Sequence, residues 1–309
     1  MVAKLLKSIY QDYKNKEVRE EKRCFFDDSN QYVLFSGTAL GENGDIRHLN
    51  DLYFFLFLLI YFKVDKSQIT LVVDLDIINE FKATSGYEHI AERIEKNIGA
   101  IIDVTSFEQS FKRKKNKDLI FVASGHGSID GLYVGKNKTF ITSDYFEDNA
   151  TYTNRTIMIM TQCYAGAFHH LDTRKNICVL GASEYQESLS LPIDKLLTEK
   201  LHSKELQEFV LNTLSFSSRI PINPFMFSLF TALINIERMK TKKHFINIYK
   251  SAATFTLQYL KHTEHTLGVS RVDKELLDGK TKITFDSSKL IQQPYLLNKI
   301  IAARLYVCK

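Results

Sequence analysis

A histidine and a cysteine stand at the ends of two apolar segments in this 309-residue chain. One apolar run, residues 157–160, leads through Thr-Gln into Cys163, and another, residues 119–123, leads through Ser-Gly into His126. Apolar runs of this length that end in small or polar residues are typical of strands buried on both faces of a parallel sheet. Neighbouring parallel strands would bring His126 and Cys163 to one sheet edge as a base and a nucleophile.

The spacing of the two residues fits this arrangement. Cys163 follows His126 by 37 residues, which leaves room for a hairpin and the crossover connection that parallel strands require. A single cysteine at a strand end is more often a small buried hydrophobic residue than a nucleophile. The pairing of strand–Ser-Gly-His-Gly with strand–Gln-Cys-Tyr-Ala-Gly is the stronger signal.

At these residues the chain resembles the caspase–legumain clan of cysteine peptidases, and within it is most similar to the legumain family. Legumains carry Arg-His-x-x-Asp after the first strand, and the same pattern occurs here as Arg47, His48 and Asp51. Two further segments are similar: Asp103-Val-Thr105 before the histidine strand and residues 181–188 after the next strand. The resemblance covers residues 30 to 192, approximately half of the chain.

The alternation of apolar strands and helices predicts an α/β fold with a mostly parallel sheet covered on both faces. The resemblance implies a caspase-like three-layer sandwich, with residues 1–192 as the catalytic core. Residues 193–309 are predicted to be mainly helical and packed on this core. Within them, residues 223–236 resemble the helix that closes catalytic domains of this clan.

The resemblance also implies roles for individual residues. Cys163 would attack a peptide carbonyl, and His126 would accept the thiol proton and later protonate the leaving amine. The backbone amides of Gly127 and Cys163 would hold the oxyanion. Asp45 lies where legumains have an asparagine near the histidine, so it is a candidate for orienting His126; an ordinary loop or capping aspartate is the alternative interpretation.

Arg47 would line the specificity pocket and select the substrate residue before the scissile bond. Ser183 would line the opposite wall of this pocket. Legumains carry an acidic residue two positions before the cysteine, where this chain has Thr161. Without that carboxylate, Arg47 would favour an acidic residue before the scissile bond over asparagine. Glu184 and Glu187 are candidates for restoring an acceptor in the pocket.

Composition argues against several other classes of protein. A net charge of +5 over 309 residues is mild, and the basic clusters at 112–117 and 240–243 lack interleaved aromatic residues, so no nucleic-acid binding is expected. The longest apolar stretch, residues 52–62, is too short to span a bilayer. Four widely spaced cysteines favour a reducing compartment without metal sites or a disulfide framework. We therefore expect a cytoplasmic protein without cofactors.

Two alternatives to a peptidase remain open at this point. A transamidase would use the same thioester, and a non-catalytic interaction module would use the fold alone. Both His126 and Cys163 are retained, which argues against the module. Three other histidines are interpreted as structural: His48 as a packing or capping residue, and His169 and His170 as surface residues. We expect a protein or peptide substrate, and activation by self-cleavage or by a protein partner.

Overall fold

The computed structural model describes most of the chain between residues 23 and 256 and several short segments after it. The described ranges are 23–37, 46–83, 87–111, 117–135, 139–149, 154–173, 176–183, 191–192, 221–238, 243–245, 247–256, 271–273, 284–286, 295–296 and 305–307. Asp45, Glu184 and Glu187 lie outside them.

The described residues form seventeen strands, most of them short. They are β1 (Arg23–Cys24), β2 (Gln31–Phe35), β3 (Ile69–Val73), β4 (Ala100–Asp103), β5 (Leu119–Ala123), β6 (Gly127–Ser128), β7 (Gly131–Val134), β8 (Thr139–Ile141), β9 (Thr156–Met160), β10 (Ile177–Gly181), β11 (Leu191–Pro192), β12 (Pro221–Ile222), β13 (Lys243–His244), β14 (Arg271–Asp273), β15 (Thr284–Asp286), β16 (Tyr295–Leu296) and β17 (Leu305–Val307).

Helices connect these strands and cover the sheet. They are α1 (Ile46–Tyr61), α2 (Leu75–Ala83), α3 (Glu88–Asn97), α4 (Glu108–Phe111), α5 (Ser143–Asn149), α6 (Pro224–Arg238) and α7 (247–256). Among the described residues, 3₁₀ segments occur at Lys66–Gln68, Val104–Ser106 and Ala165–Thr173.

The central sheet has the strand order β16-β10-β9-β5-β2-β3-β4. The six strands from β10 to β4 are parallel, and β16 is antiparallel at one edge. This confirms the prediction of an α/β protein with a mostly parallel sheet. Chain order reverses between β2 and β5, and open parallel sheets bind ligands at the carboxyl ends of the strands beside such a reversal.

Helix α1 lies in the interior because it is apolar on every side. Residues 52–59 are all buried, and Phe54 packs edge-on against Phe230 of α6 with ring centroids 5.0 Å apart. A helix without a polar face needs a partner on each side. Here the sheet covers one side of α1 and helix α6 the other.

A separate cluster of apolar side chains covers the opposite face of the sheet. It joins sheet residues such as Phe35 and Phe121 to the three-stranded sheet β6-β7-β8, to Phe146 of α5 and to Phe168 after β9. Helices therefore lie on both faces of the parallel sheet, an arrangement compatible with three layers. The β6-β7-β8 sheet lies on this second face, beside the residues that follow β5.

The C-terminal part contributes strands as well as the expected helices. Residues predicted to form a closing helix form α6, and α7 follows it. The described residues after 192 also include six short strands, of which β16 extends the central sheet and β17 pairs with β1 and β13. The segments up to and after residue 192 thus share three sheets, because β11 also pairs with β12.

Two further observations bear on the expectations from sequence. Cys24 is disulfide-bonded, which the spacing of the cysteines did not predict. Among the described residues, no helix combines the length and the apolar character needed to cross a membrane.

We predict that an ion pair at the amino ends of β5 and β9 stabilises the sheet. Arg155 Nε lies 3.0 Å from Asp118 Oδ2, and only 1% of the Asp118 side chain is exposed. Arg155→Met would leave that carboxylate buried without its charge partner, so the free energy of unfolding should fall by about 3 kcal/mol. Denaturant unfolding measures this change.

The matched control is Lys82→Met. Lys82 pairs with Glu95, but both side chains are 44% exposed, so the loss should stay below about 1 kcal/mol. Equal losses in the two variants would contradict the stabilising role of the Arg155–Asp118 pair.

Candidate active site

The structure brings the His126 and Cys163 segments to the same sheet edge. Strands β5 and β9 are parallel neighbours with Ala123 opposite Met160, and Thr161 N donates to Ala123 O at 2.9 Å. His126 and Cys163 each lie three residues beyond that last pair. Both follow the carboxyl ends of their strands, and both are half-buried.

The backbones of the two segments are in close contact at Gly127. A β-carbon on Gly127 would overlap the carbonyl oxygen of Cys163 and the side chain of Gln162. Glycine is therefore the residue type that allows this approach. Strand β7 also contacts the loop that carries His126, because Tyr133 N donates a hydrogen bond to His126 O at 3.0 Å.

The turn after the cysteine has an unusual backbone conformation. Tyr164 has φ of 53°, in the left-handed region that few non-glycine residues occupy. Such a residue costs about 1–3 kcal/mol and persists where the surrounding structure fixes it. The turn directs the chain from β9 into the 3₁₀ segment Ala165–Thr173. Cys163 is a free thiol on this turn, and the other described free cysteine, Cys178, is fully buried in β10.

The ring of His48 packs against the ring of His126. Their centroids are 5.1 Å apart and their planes are 77° to each other, an edge-to-face contact. His48 is buried in the first turn of α1. His48 therefore packs within the protein, as expected from the sequence, and its packing partner is His126.

A chain of hydrogen bonds continues from His48 into the protein. Arg47 Nε donates to His48 Nε2 at 3.5 Å, His48 Nδ1 lies 3.2 Å from Ser124 Oγ, and Ser124 Oγ donates to Asp51 Oδ2 at 2.7 Å. Since Nε2 accepts and the Ser124 hydroxyl proton points to Asp51, the consistent tautomer carries its proton on Nδ1. In this arrangement His48 is neutral.

Burial and nearby positive charge keep His48 in that neutral form. Loss of solvation lowers the pKa of His48 well below its ordinary value of 6.5, and the charges of Arg47 and His126 lower it further.

Asp51 is the buried acceptor at the end of the chain of hydrogen bonds. Besides Ser124, it accepts from Asn223 N at 2.7 Å and from Thr161 Oγ1 at 3.4 Å. Burial raises the pKa of Asp51 to about 6, and these donors together with the charge of Arg47 limit the rise. The carboxylate thus connects α1, the ends of β5 and β9, and the start of α6.

The residues predicted to bind substrate lie in different environments. Arg47 is half-buried beside His48. Thr161 and Ser183 are buried, and their hydroxyls are directed inward: Thr161 Oγ1 donates to Ala123 O at 3.0 Å and Ser183 Oγ to Gln162 O at 3.4 Å. Of the three residues, Arg47 is therefore the one whose side chain reaches partly to solvent.

No site role was expected for Ser124 or Asn223, and Asp51 was noted only within the Arg-His-x-x-Asp pattern. A signal existed for Asp51, because His48 and Asp51 are three residues apart and therefore share one face of a helix. A signal also existed for Asn223, because Asn before Pro224 is a helix start, and Asn223 Oδ1 does accept from Phe225 N at 2.9 Å. Neither signal indicates that the two residues meet.

No protein-family model matches this chain, and no curated protein matches it.

We predict that Asp51 makes stability depend on pH. Its pKa in the folded protein, about 6, lies above its ordinary value of 3.8, so between these values the folded state binds more protons than the unfolded state. Stability from this group is present below pH 4 and is lost as pH rises to about 6. Relative to Asp51→Asn, the wild-type free energy of unfolding should fall by up to about 3 kcal/mol between pH 4 and pH 7.

Denaturant unfolding of both proteins across this range measures the difference. Above pH 7 the two stability curves should run parallel, because Asp51 is then ionised in both states; this range is the internal control. Parallel curves from pH 4 to pH 7 as well would contradict the raised pKa.

Proposed function

We propose that the chain is a cysteine endopeptidase of the caspase–legumain type, which hydrolyses peptide bonds in a protein substrate. The observation that supports this most is the joint position of two segments. The His126 and Cys163 segments follow adjacent parallel strands in matching register, and Gly127 closely contacts the cysteine backbone. A thiol, an imidazole and a glycine-bearing loop thus lie at the carboxyl edge of the sheet, near the reversal of chain order where open parallel sheets bind ligands.

In the proposed reaction, Cys163 Sγ forms a bond to the carbonyl carbon while His126 accepts the thiol proton. The carbon–nitrogen bond then breaks, His126 delivers that proton to the leaving amine, and an acyl thioester remains on Cys163. Water, deprotonated by His126, attacks the thioester and releases the acid product and the thiol. The backbone N–H groups of Gly127 and Cys163 stabilise the oxyanion formed in each half of the reaction.

We assign a positioning role to His48. Its ring contacts His126 edge-on, and its own orientation is fixed through Ser124 by the buried Asp51. Asp45 was the candidate for this role from sequence and lies outside the described residues. His48 orients His126 from within α1, where the helical backbone limits the movement of His48.

Arg47 is the proposed determinant of substrate selection. With Thr161 in place of an acidic residue, the described residues include Asp51 as an acidic group near the guanidinium, and its oxygens already accept from Asn223, Ser124 and Thr161. A half-buried guanidinium can therefore bind a carboxylate of the substrate. We propose a preference for acidic residues before the scissile bond.

The proposal also includes the substrate, the cofactor requirement and the mode of activation. The protein acts on a protein or peptide substrate without a cofactor, and is activated by self-cleavage or by a protein partner. A thioester intermediate also serves transamidases, in which an amine replaces water as the second nucleophile.

We predict that a peptidyl acyloxymethyl ketone labels the protein at Cys163 alone. Labelling should be absent in Cys163→Ala and unchanged in Cys178→Ala, because Cys178 is 0% exposed within β10. His126→Gln should slow labelling by about 100-fold or more, since general-base assistance is worth at least that much. Intact-mass and peptide mapping measure the rate and the site.

The outcome separates a peptidase from a non-catalytic interaction module. Labelling that is no faster than that of the same protein after unfolding, or that does not depend on His126, would contradict the proposed function.

A further inference from the structure

A cavity of about 480 Å³ opens at the carboxyl ends of β3 and β4, beside the candidate active site. Its lining comes from the ends of these two strands, from the start of the Val104–Ser106 segment and from the β7–β8 hairpin. Its volume lies within the range of small-ligand sites. Neither the proposed catalytic residues nor Arg47 lines it.

The lining combines two carboxylates with apolar walls. Asp74 and Asp103 follow or end neighbouring parallel strands, and Val104, Phe107 and Val134 supply the walls. Each carboxylate is oriented by a backbone N–H two residues on: Asp76 N donates to Asp74 Oδ1 at 3.0 Å, and Thr105 N donates to Asp103 Oδ1 at 2.9 Å. Hydrogen bonds from Thr105 also hold the pKa of Asp103 below its ordinary value.

This combination suits one chemical class of ligand. Arginine and lysine side chains carry a cationic end on an apolar stem, and they bury the stem while the charge finds a partner. An aromatic ring such as Phe107 adds attraction for the cation. Among the described residues, no group of three or more His, Cys, Asp or Glu side chains is arranged to hold a metal ion, so a cationic side chain fits this cavity better.

The hairpin places the cavity close to His126. Tyr133 N donates to His126 O, and the next residue, Val134, lines the cavity. Across the sheet, β9, which precedes Cys163, is followed by β5, which precedes His126, and then by β2, β3 and β4. The cavity lies at the ends of β3 and β4, so it begins two strands beyond β5. At about 4.8 Å per strand, the end of β3 lies about 10 Å beyond that of β5, the length of about three extended residues.

The proposed reaction decides which half of the substrate reaches the cavity. His126 protonates the leaving amine, so the chain on the leaving side departs from Cys163 past His126. The cavity lies in that direction, and on the β6-β7-β8 face of the sheet. Arg47 lies instead at the start of α1 on the opposite face.

We propose that this cavity binds a lysine or arginine side chain of the substrate, two to four residues beyond the scissile bond on the leaving side. The proposal depends on the peptidase function above and adds a substrate class to it: a basic residue after the cut. It also gives the β7–β8 hairpin a role in substrate recognition.

The test is a digest of a proteome-derived peptide library, followed by sequencing of both sides of each cut. Cuts made by the wild type and absent with Cys163→Ala are counted. Lysine and arginine should be enriched about tenfold over glutamate within the second to fourth positions after the cut, since a charge-assisted contact is worth about that factor. Kinetics on a matched Arg and Glu peptide pair give the same ratio as kcat/KM.

Two variants connect the preference to the cavity. Asp74→Asn with Asp103→Asn keeps both acceptors for the backbone N–H groups but removes the charge, and should lower the ratio to about twofold or less. Glu80→Gln, an exposed carboxylate on α2, removes one charge nearby and should leave the ratio unchanged.

The outcomes separate this proposal from the peptidase function. Cuts that depend on Cys163 but show no basic preference after the bond would overturn the cavity's role and leave the peptidase intact. A preference that survives in the Asp74→Asn/Asp103→Asn protein would overturn it as well. A digest without any Cys163-dependent cut would contradict both proposals.

Discussion

The buried carboxylate of Asp51 is the contact on which the arrangement of the site depends. It lies on α1 and accepts hydrogen bonds from the residues after β5 and β9 and from the first residue before α6. These four elements come from parts of the chain up to 172 residues apart. A buried charge is costly unless several donors surround it, so each donor favours the same relative placement of the four elements. His126 and Cys163 are carried by two of them.

The placement of the reacting groups follows from this contact and from the sheet. Parallel pairing of β5 and β9 sets the register, and the lack of a side chain at Gly127 lets the two loops meet. Helix α1 then brings His48 against His126 while it buries its apolar sides between the sheet and α6. The apolar contacts and the hydrogen bonds thus favour the same placement of His126 and Cys163. Burial of the apolar side chains of α1 offsets part of the free-energy cost of burying polar groups such as Asp51.

Sequence alone predicted the features that depend on local patterns. The apolar runs at 119–123 and 157–160 predicted adjacent parallel strands, and the residues after them lie at one edge as expected. Strands β4 and β16 were missed: β16 has two residues, too few for any periodicity, and β4 is half-exposed at the sheet edge. The contact of Asp51 with Asn223 was also missed, because tertiary folding alone brings such distant residues together. Thr161 was expected at the substrate pocket, but its hydroxyl bonds to Ala123 and Asp51 instead.

The central claim is that Cys163 carries the acyl group of the substrate during turnover. Acid-quenched mass spectrometry tests this most directly: the protein is mixed with a cleaved peptide, stopped within the first turnovers, digested and mapped. We predict a thioester on the peptide that contains Cys163, with the mass of the substrate's acyl half. Continued cleavage in Cys163→Ala, or turnover with no acyl group on Cys163 at any quench time, would contradict the account.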